Sequence, residues 1–258
     1  MLIKITKSCH NGCTHCCNDS RPSDEHMTLQ TFKDALNFAE KYDKNNITGN
    51  EIAGGEPTEH PLFLEFLDAY FEILGKNKIL TVATNGHYLL EHSDVIHEYL
   101  EKYPSLIFQI TYDNRYYPKK LDTTKRVLRH KRIYIVTEIG KMYPQGRAVS
   151  NNLKVTDNIM CPPCFNLKLI LMQLGCNNLK DLFTTMRKME KYCTPSIQWD
   201  GSIAFGEYDC CPKYCTIYDD EKTIINQIKN FDCNGCPEAI AICEEKTLSG
   251  KIKTRTVF

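Results

Sequence analysis

The sequence has no excess of charge of either sign: across 258 residues, 32 Lys and Arg balance 32 Asp and Glu. A basic groove for nucleic acid is therefore not the default expectation, and no charge asymmetry points to a membrane surface. No apolar run reaches the roughly 18 residues that a membrane span needs. The opening MLIKITKSCHNGC lacks an apolar signal core with a cleavage site, which predicts a cytoplasmic chain with no nucleic-acid and no membrane partner. Cysteine is missing from residue 18 to residue 160. Disorder is excluded as a global description, because 42% hydrophobic residues against 25% charged ones supply enough apolar mass for one large core.

What is present is an unusual number of cysteines, 14, in three groups. They fall at Cys9, Cys13, Cys16 and Cys17; at Cys161, Cys164 and Cys176; and at Cys193, Cys210, Cys211, Cys215, Cys233, Cys236 and Cys243. Thiols in a reducing compartment ask to be explained by metal or catalysis rather than by disulfides. The long cysteine-free span also divides the chain into halves of different kind, which we place at 1–150 and 151–258.

The first half alternates short apolar runs with amphipathic stretches. Leu2–Thr6 reads as a strand leading into the first cysteines. Thr28 reads as an N-cap, with Leu29, Phe32, Leu36 and Ala39 at helical spacing over 29–42. Ile47–Ala53 is a strand ending at Gly54-Gly55-Glu56-Pro57, His60–Leu74 a helix, Ile79–Thr84 a strand, and Tyr88–Lys102 a helix. Leu106–Tyr112 is a strand, Lys119–His130 a helix and Arg132–Ile139 extended. Repeated strand-helix units of this length give a parallel sheet with right-handed crossovers. With Lys168–Gln173 as a sixth strand, they predict an α/β fold: a partial (β/α)6 TIM-like barrel with a small cysteine-rich C-terminal extension. In such barrels chemistry sits at the C-terminal ends of the strands, where the first cysteines, Gly54–Pro57, Asn85-Gly86 and Asp113-Asn114 all fall. In the second half, Leu179, Leu182, Phe183, Met186 and Met189 mark a helix, Ile197–Phe205 a hairpin turning at Asp200-Gly201, and residues 207–243 read as loop.

Cys9, Cys13 and Cys16 form a C-x3-C-x2-C pattern on a loop that contains Gly12. Cubane iron-sulfur clusters take one thiolate per iron, so three cysteines leave one iron open to a cofactor or substrate. Zinc is the alternative, but it favours paired C-x2-C arms and four protein ligands, and no second arm lies nearby. This cysteine pattern just past a first strand, followed some forty residues later by Gly54-Gly55-Glu56-Pro57 past a second, resembles the radical S-adenosylmethionine (SAM) superfamily. The resemblance implies that Cys9, Cys13 and Cys16 hold a catalytic [4Fe-4S] cluster whose open iron is chelated by SAM. Reductive cleavage of SAM then gives a 5'-deoxyadenosyl radical that abstracts hydrogen from substrate. It implies further that Gly54, Gly55 and Glu56 meet the SAM amino group and that His15 stands at a position, aromatic in the family, that packs on adenine. Thr84, Asn85 and Asp113 would reach the ribose or carboxylate, although Asn85-Gly86 is equally an ordinary turn.

Cys193, Gly206 and Cys211, with Cys233 and Cys236 after a gap, resemble the SPASM and twitch extensions of that superfamily. This implies at least one auxiliary [4Fe-4S] cluster with four thiolates, Cys210 remaining an alternative to Cys211. A zinc ribbon is the rival for residues 161–243. Cys161 and Cys164, joined by Cys215 or Cys243, could carry a further cluster, while Cys17 and Cys176 read as buried thiols. The resemblance also implies an electron donor such as a flavodoxin or ferredoxin. It points to oxidative modification of a ribosomally synthesised peptide, with a sugar-like small-molecule dehydrogenase as the alternative and a non-catalytic zinc module or a pure electron carrier as readings from other classes.

Overall fold

A computed structural model describes residues 1–44, 46, 49–137, 146–153, 177–188, 196–204 and 213–230. Five strands of the first half lie side by side and parallel: β1 (Leu2–Thr6), β2 (Asn50–Gly54), β3 (Leu80–Thr84), β4 (Leu106–Thr111) and β5 (Ile133–Val136). On the other side of β1 the sheet continues through β6 (Ser196–Ile197), parallel to β1, and then antiparallel through β7 (Ser202–Ala204) and β8 (Lys213–Thr216). The order is β5-β4-β3-β2-β1-β6-β7-β8. This is the expected α/β architecture with a mostly parallel sheet. The proposed sixth core strand, Lys168–Gln173, lies outside the described residues.

The helices follow from apolar spacing. In α1 (Leu29–Asp43) the Thr28 hydroxyl accepts from the Thr31 amide at 3.0 Å and so satisfies one orphan donor at the helix start. The buried face of α1 meets α2 (Phe63–Leu74), where Phe32 and Phe66 stack with ring centroids 4.5 Å apart, both fully buried. Each such ring removed from water contributes about 1.5–3 kcal/mol. The expected Tyr88–Lys102 helix is two: α3 (His87–Glu91) and α4 (Ser93–Lys102), broken at His92, whose backbone leaves the helical region.

Two expectations are corrected. Lys119–His130 is not a helix, and only a 3-10 turn at Arg126–Arg129 forms there. Asp122 takes the Thr124 amide and hydroxyl at 3.1 and 2.6 Å, a local bond that competes with helix formation. Leu121 and Leu128 still reach the core. The stretch read as loop over 207–243 contains β8 and a helix at Glu221–Lys229. That helix is capped by Asp220, which accepts from the Thr223 amide at 3.0 Å, and it buries Ile224, Ile225 and Ile228. The β6–β7 hairpin does turn at Asp200-Gly201, where Gly201 has φ +81°. Among the described residues no helix is long and apolar enough to cross a membrane.

The junction between β2 and α2 contains a titrating group. His60 is buried, and its Nδ1 accepts from the Leu62 amide at 3.0 Å, which leaves the ring proton on Nε2 to be donated to the Met27 carbonyl at 2.9 Å. Burial holds its pKa below the ordinary 6.5, with the nearby His26 pushing the same way. A lowered imidazole pKa contributes stability that is complete above the unfolded value and is lost as pH falls below it, because the unfolded chain takes the proton first. Thermal melts between about pH 7 and pH 5 should therefore show His60→Gln losing less stability on acidification than the parent chain. Parallel melting curves for the two would contradict this.

Candidate functional site

The first cysteines leave the end of β1 on a loop over residues 7–20. The loop closes on itself: the Cys9 amide donates to the Arg21 carbonyl at 3.1 Å and the Cys16 amide to the Cys13 carbonyl at 3.3 Å. Gly12 sits at its bend with φ +64°, a conformation that costs a side-chain-bearing residue strain. Cys9 and Cys13 are buried, while Cys16 and Cys17 are partly exposed, which corrects the expectation that Cys17 is a buried thiol; none of the four is in a disulfide. Burial pushes the Cys9 thiol up to about 12, with the charges of Glu56, Glu59 and Cys13 adding to it. Burial likewise pushes Cys13 up to about 11, opposed by the Arg147 charge and by a hydrogen bond from Asn11. Both stay protonated until a cationic centre stabilises their thiolates.

The end of β2 is built into this loop. The Gly55 amide donates to the Thr6 carbonyl at 2.8 Å and the Glu56 amide to the Ser8 carbonyl at 2.7 Å. A Cβ at Gly54 would stand 2.3 Å from the Thr6 oxygen, and one at Gly55 2.2 Å from the Ser8 oxygen. The glycine pair is thus required by the chain's own backbone at Thr6–Ser8. Glu56 is buried at 2% exposure. Its Oε1 accepts from the Thr58 amide and hydroxyl at 3.2 and 2.7 Å and from the Thr84 hydroxyl at 2.6 Å; its Oε2 accepts from the Asn85 amide at 2.6 Å. Burial raises the Glu56 carboxyl above the ordinary range, and these donors work against the rise. A carboxylate offers about four acceptor sites, so Oε2 can still take a further donor.

The other expected residues stand on the same rim with different attachments. Asn85 accepts the His87 amide on its side-chain oxygen at 3.0 Å, closing a turn in which Gly86 has φ +85°. The Asp113 carboxylate is held by Arg115, whose Nε lies 2.9 and 3.1 Å from the two oxygens and whose amide donates at 3.0 Å. His15 lies between Tyr116 and Tyr117, with ring centroids 5.4 and 5.5 Å away, and its Nδ1 is buried without a hydrogen-bond partner. Burial lowers the His15 pKa, and Asp113 opposes that shift.

Several residues that the sequence did not single out complete the site. Tyr117 is held far above the ordinary phenol range by burial, with the charges of Cys13, Glu56, Cys9 and Cys16 adding to the rise. Its hydroxyl donates to the Thr111 carbonyl. Glu59 accepts from the His10 amide at 2.9 Å and from the Ser8 hydroxyl at 3.2 Å, and its Oε2 lies 2.7 Å from His10 Nδ1. Arg147, at the start of α5 (Arg147–Ser150), donates from Nε to the Cys13 carbonyl at 2.7 Å and from Nη1 to the Ser20 carbonyl and Asp19 carboxylate at 2.7 and 3.0 Å. The Arg147 amide also donates to the Cys16 carbonyl at 2.9 Å. Next to it, a Cβ at Gly146 would come within 2.5 Å of the Cys16 and Cys17 carbonyl oxygens.

Among the described residues, no three His, Cys, Asp or Glu side chains gather closely enough to hold one metal ion. A cubane asks for something else, one thiolate at each of three separate irons, and three thiols on one closed loop fit that demand. Cys193, Cys211, Cys233 and Cys236 lie outside the described residues, as do Cys161, Cys164, Cys210 and Cys243. Cys215 is described: it packs in the apolar core on β8, where burial pushes its thiol up to about 12.

The family model of the radical SAM superfamily matches residues 3–145, more than half of the chain, and the chain belongs to that superfamily. Membership carries with it a catalytic [4Fe-4S] cluster and SAM as cofactors. No curated protein matches the chain. Among solved structures, it is similar to BtrN in complex with AdoMet and 2-DOIA, at 14% identity over 97% of this chain and 89% of that one, with TM-score 0.50. It is also similar to Streptococcus suis SuiB bound to precursor peptide SuiA, at 16% identity over 90% and 67% of the two chains, with TM-score 0.55. At such identities the likeness is one of fold.

Arg147 ties Cys13 and Cys16 to Asp19 and Ser20 across the second half of the cysteine loop, so Arg147→Ala should cost about 1–3 kcal/mol in denaturant unfolding and speed amide exchange over residues 13–20. Arg147→Lys should not restore either, because an ammonium cannot reproduce the planar fork. Unchanged exchange in the alanine variant would show that the loop holds itself.

Proposed function

We propose that the chain is a radical SAM enzyme that oxidatively modifies a ribosomally synthesised peptide in the cytoplasm, drawing electrons from a flavodoxin- or ferredoxin-like donor. The observation that carries the reading is the loop bearing Cys9, Cys13 and Cys16, which leaves β1 in backbone contact with the end of β2, where Glu56 is buried and held by Thr84 and Asn85. When bound, cluster and SAM together supply one-electron cleavage of the sulfonium and hence a carbon radical able to take hydrogen from substrate.

The chain's own residues hold and orient. Cys9, Cys13 and Cys16 ligate the cluster. Glu56, fixed by Thr58, Thr84 and Asn85, offers Oε2 to the SAM ammonium group, and a charge-assisted bond there is stronger than a neutral one. Thr84 serves by donating to Glu56, and Gly54 and Gly55 by letting the end of β2 lie against Thr6–Ser8. His15, with its orphaned Nδ1 between two tyrosines, offers adenine a ring face and one polar atom. Asp113 and Asn85 border the ribose and carboxylate.

Residues 1–150 form the catalytic core, and 151–258 complete it and carry a SPASM- or twitch-like auxiliary [4Fe-4S] cluster on Cys193, Cys211, Cys233 and Cys236. Support comes from the β6–β7 hairpin, which turns at Asp200-Gly201 between the first two of these cysteines in sequence. Four thiolates close a cluster, which favours electron relay and a net oxidation. The peptide reading is supported by the fold shared with SuiB, a structure bound to a precursor peptide. The second reading, a small-molecule dehydrogenase, is favoured by the end-to-end match with BtrN, a structure holding 2-DOIA.

Anaerobic reconstitution should load about eight irons per chain and give 5'-deoxyadenosine with SAM and dithionite; Cys13→Ala should keep about four irons and give none. Undiminished 5'-deoxyadenosine from that variant would falsify the ligand assignment, and about four irons in the parent chain would remove the auxiliary cluster.

A further inference from the structure

The cysteine loop holds one residue that none of these roles uses. Asn11 stands between Cys9 and Cys13 and is 7% exposed. Its side-chain Nδ2 donates to the Cys13 sulfur at 3.1 Å. A buried amide thus bonds one of the three sulfurs directly. Its Oδ1 is buried with no partner. Were Cys13 to remain a thiol, the amide could turn over and let Oδ1 accept the S–H proton. A ligating sulfur has no proton to give, and only the Nδ2 orientation then makes a bond. Positive charge stands beside the same residue, since Arg147 holds the Cys13 carbonyl through Nε at 2.7 Å.

N–H donors at cluster sulfurs shift the reduction potential, because they stabilise the more negative state more than the less negative one. We propose that Asn11 sets the potential of the catalytic cluster by donating from its side-chain amide to the Cys13 sulfur. The inference rests on the ligand assignment given under Proposed function. The step it concerns is the transfer of one electron from an external low-potential reductant such as dithionite; no bond forms or breaks and no proton moves. Asn11 is a positioning and tuning residue, acting through the Cys13 sulfur.

The test is an EPR-monitored redox titration of the full-length, anaerobically reconstituted protein without SAM, following the signal that Cys13→Ala lacks. Asn11→Leu removes the side-chain donor while keeping a side chain of similar size. Its midpoint should fall by about 59 mV, the one-electron equivalent of a tenfold change in the reduction equilibrium. Asn11→Asp, which adds negative charge at the same place, should fall further, and Asn11→Ser, whose hydroxyl can donate to sulfur, should recover part of the loss. Iron content should match the parent in all three. Midpoints equal to the parent's at full iron loading would overturn the inference and reduce Asn11 to a spacer. Should Asn11→Leu fail to assemble the cluster, the Asp and Ser variants decide by the same titration. A parent chain in which Cys13→Ala removes no signal points instead to failure of the ligand assignment.

Discussion

The site depends on how closely the ends of β1 and β2 approach. Past Thr6 the two chains stay in backbone contact, with the Gly55 amide on the Thr6 carbonyl and the Glu56 amide on the Ser8 carbonyl at 2.8 and 2.7 Å. No side chain fits between them, since a Cβ at Gly55 would meet carbonyl oxygen at 2.2 Å. That contact fixes where the cysteine loop begins. It also delivers Glu56 to the rim already desolvated, where Thr58, Thr84 and Asn85 can supply the donors a buried carboxylate needs. β2 and β3 are thereby tied at their C-terminal ends as well as along their ladder.

From this anchor outward, each loop end is held by groups from elsewhere in the chain. Glu59 grips Ser8 and His10 just after the strand. Tyr116 takes the Thr14 amide on its carbonyl at 2.9 Å, and Arg147 closes the far end on Cys13 and Ser20. Preorganisation of this kind means that ligands need not be gathered at the moment of cofactor binding, which is what holds a reacting group in register. Protonated, buried thiols on a fixed loop are also poised: they wait for a cationic centre to stabilise their charge.

Most of the first half was legible in the sequence because its signals are local. The Leu2–Thr6 run, the Thr28 cap and the apolar spacing of Phe32, Leu36 and Ala39 each determine structure within a few residues. The same logic failed at 119–130, where Leu121 and Leu128 carry helix-like spacing but Asp122 and Thr124 divert the backbone. In 213–229 the density of cysteine drew attention from Ile224, Ile225 and Ile228, whose spacing marks a helix. The cysteine triplet and Gly54–Glu56 announced themselves by residue type and position. Glu59, Tyr117, Gly146 and Arg147 did not, because their roles arise only from contacts made far along the chain, 134 positions in the case of Arg147 and Cys13. Glu56, singled out in the sequence by its place after the glycine pair, is a hub for Thr58, Thr84 and Asn85, which no spacing rule reveals.

The central claim is that three cysteines on this anchored loop leave one iron of a cubane for SAM to occupy. The most direct test is electron-nuclear double resonance on the reduced, reconstituted protein with SAM labelled in its amino nitrogen and carboxylate oxygens. Hyperfine coupling from both labels to the cluster that Cys13→Ala lacks is the expected result. A cluster that shows neither coupling, with its fourth iron ligated by a protein side chain, would contradict the account.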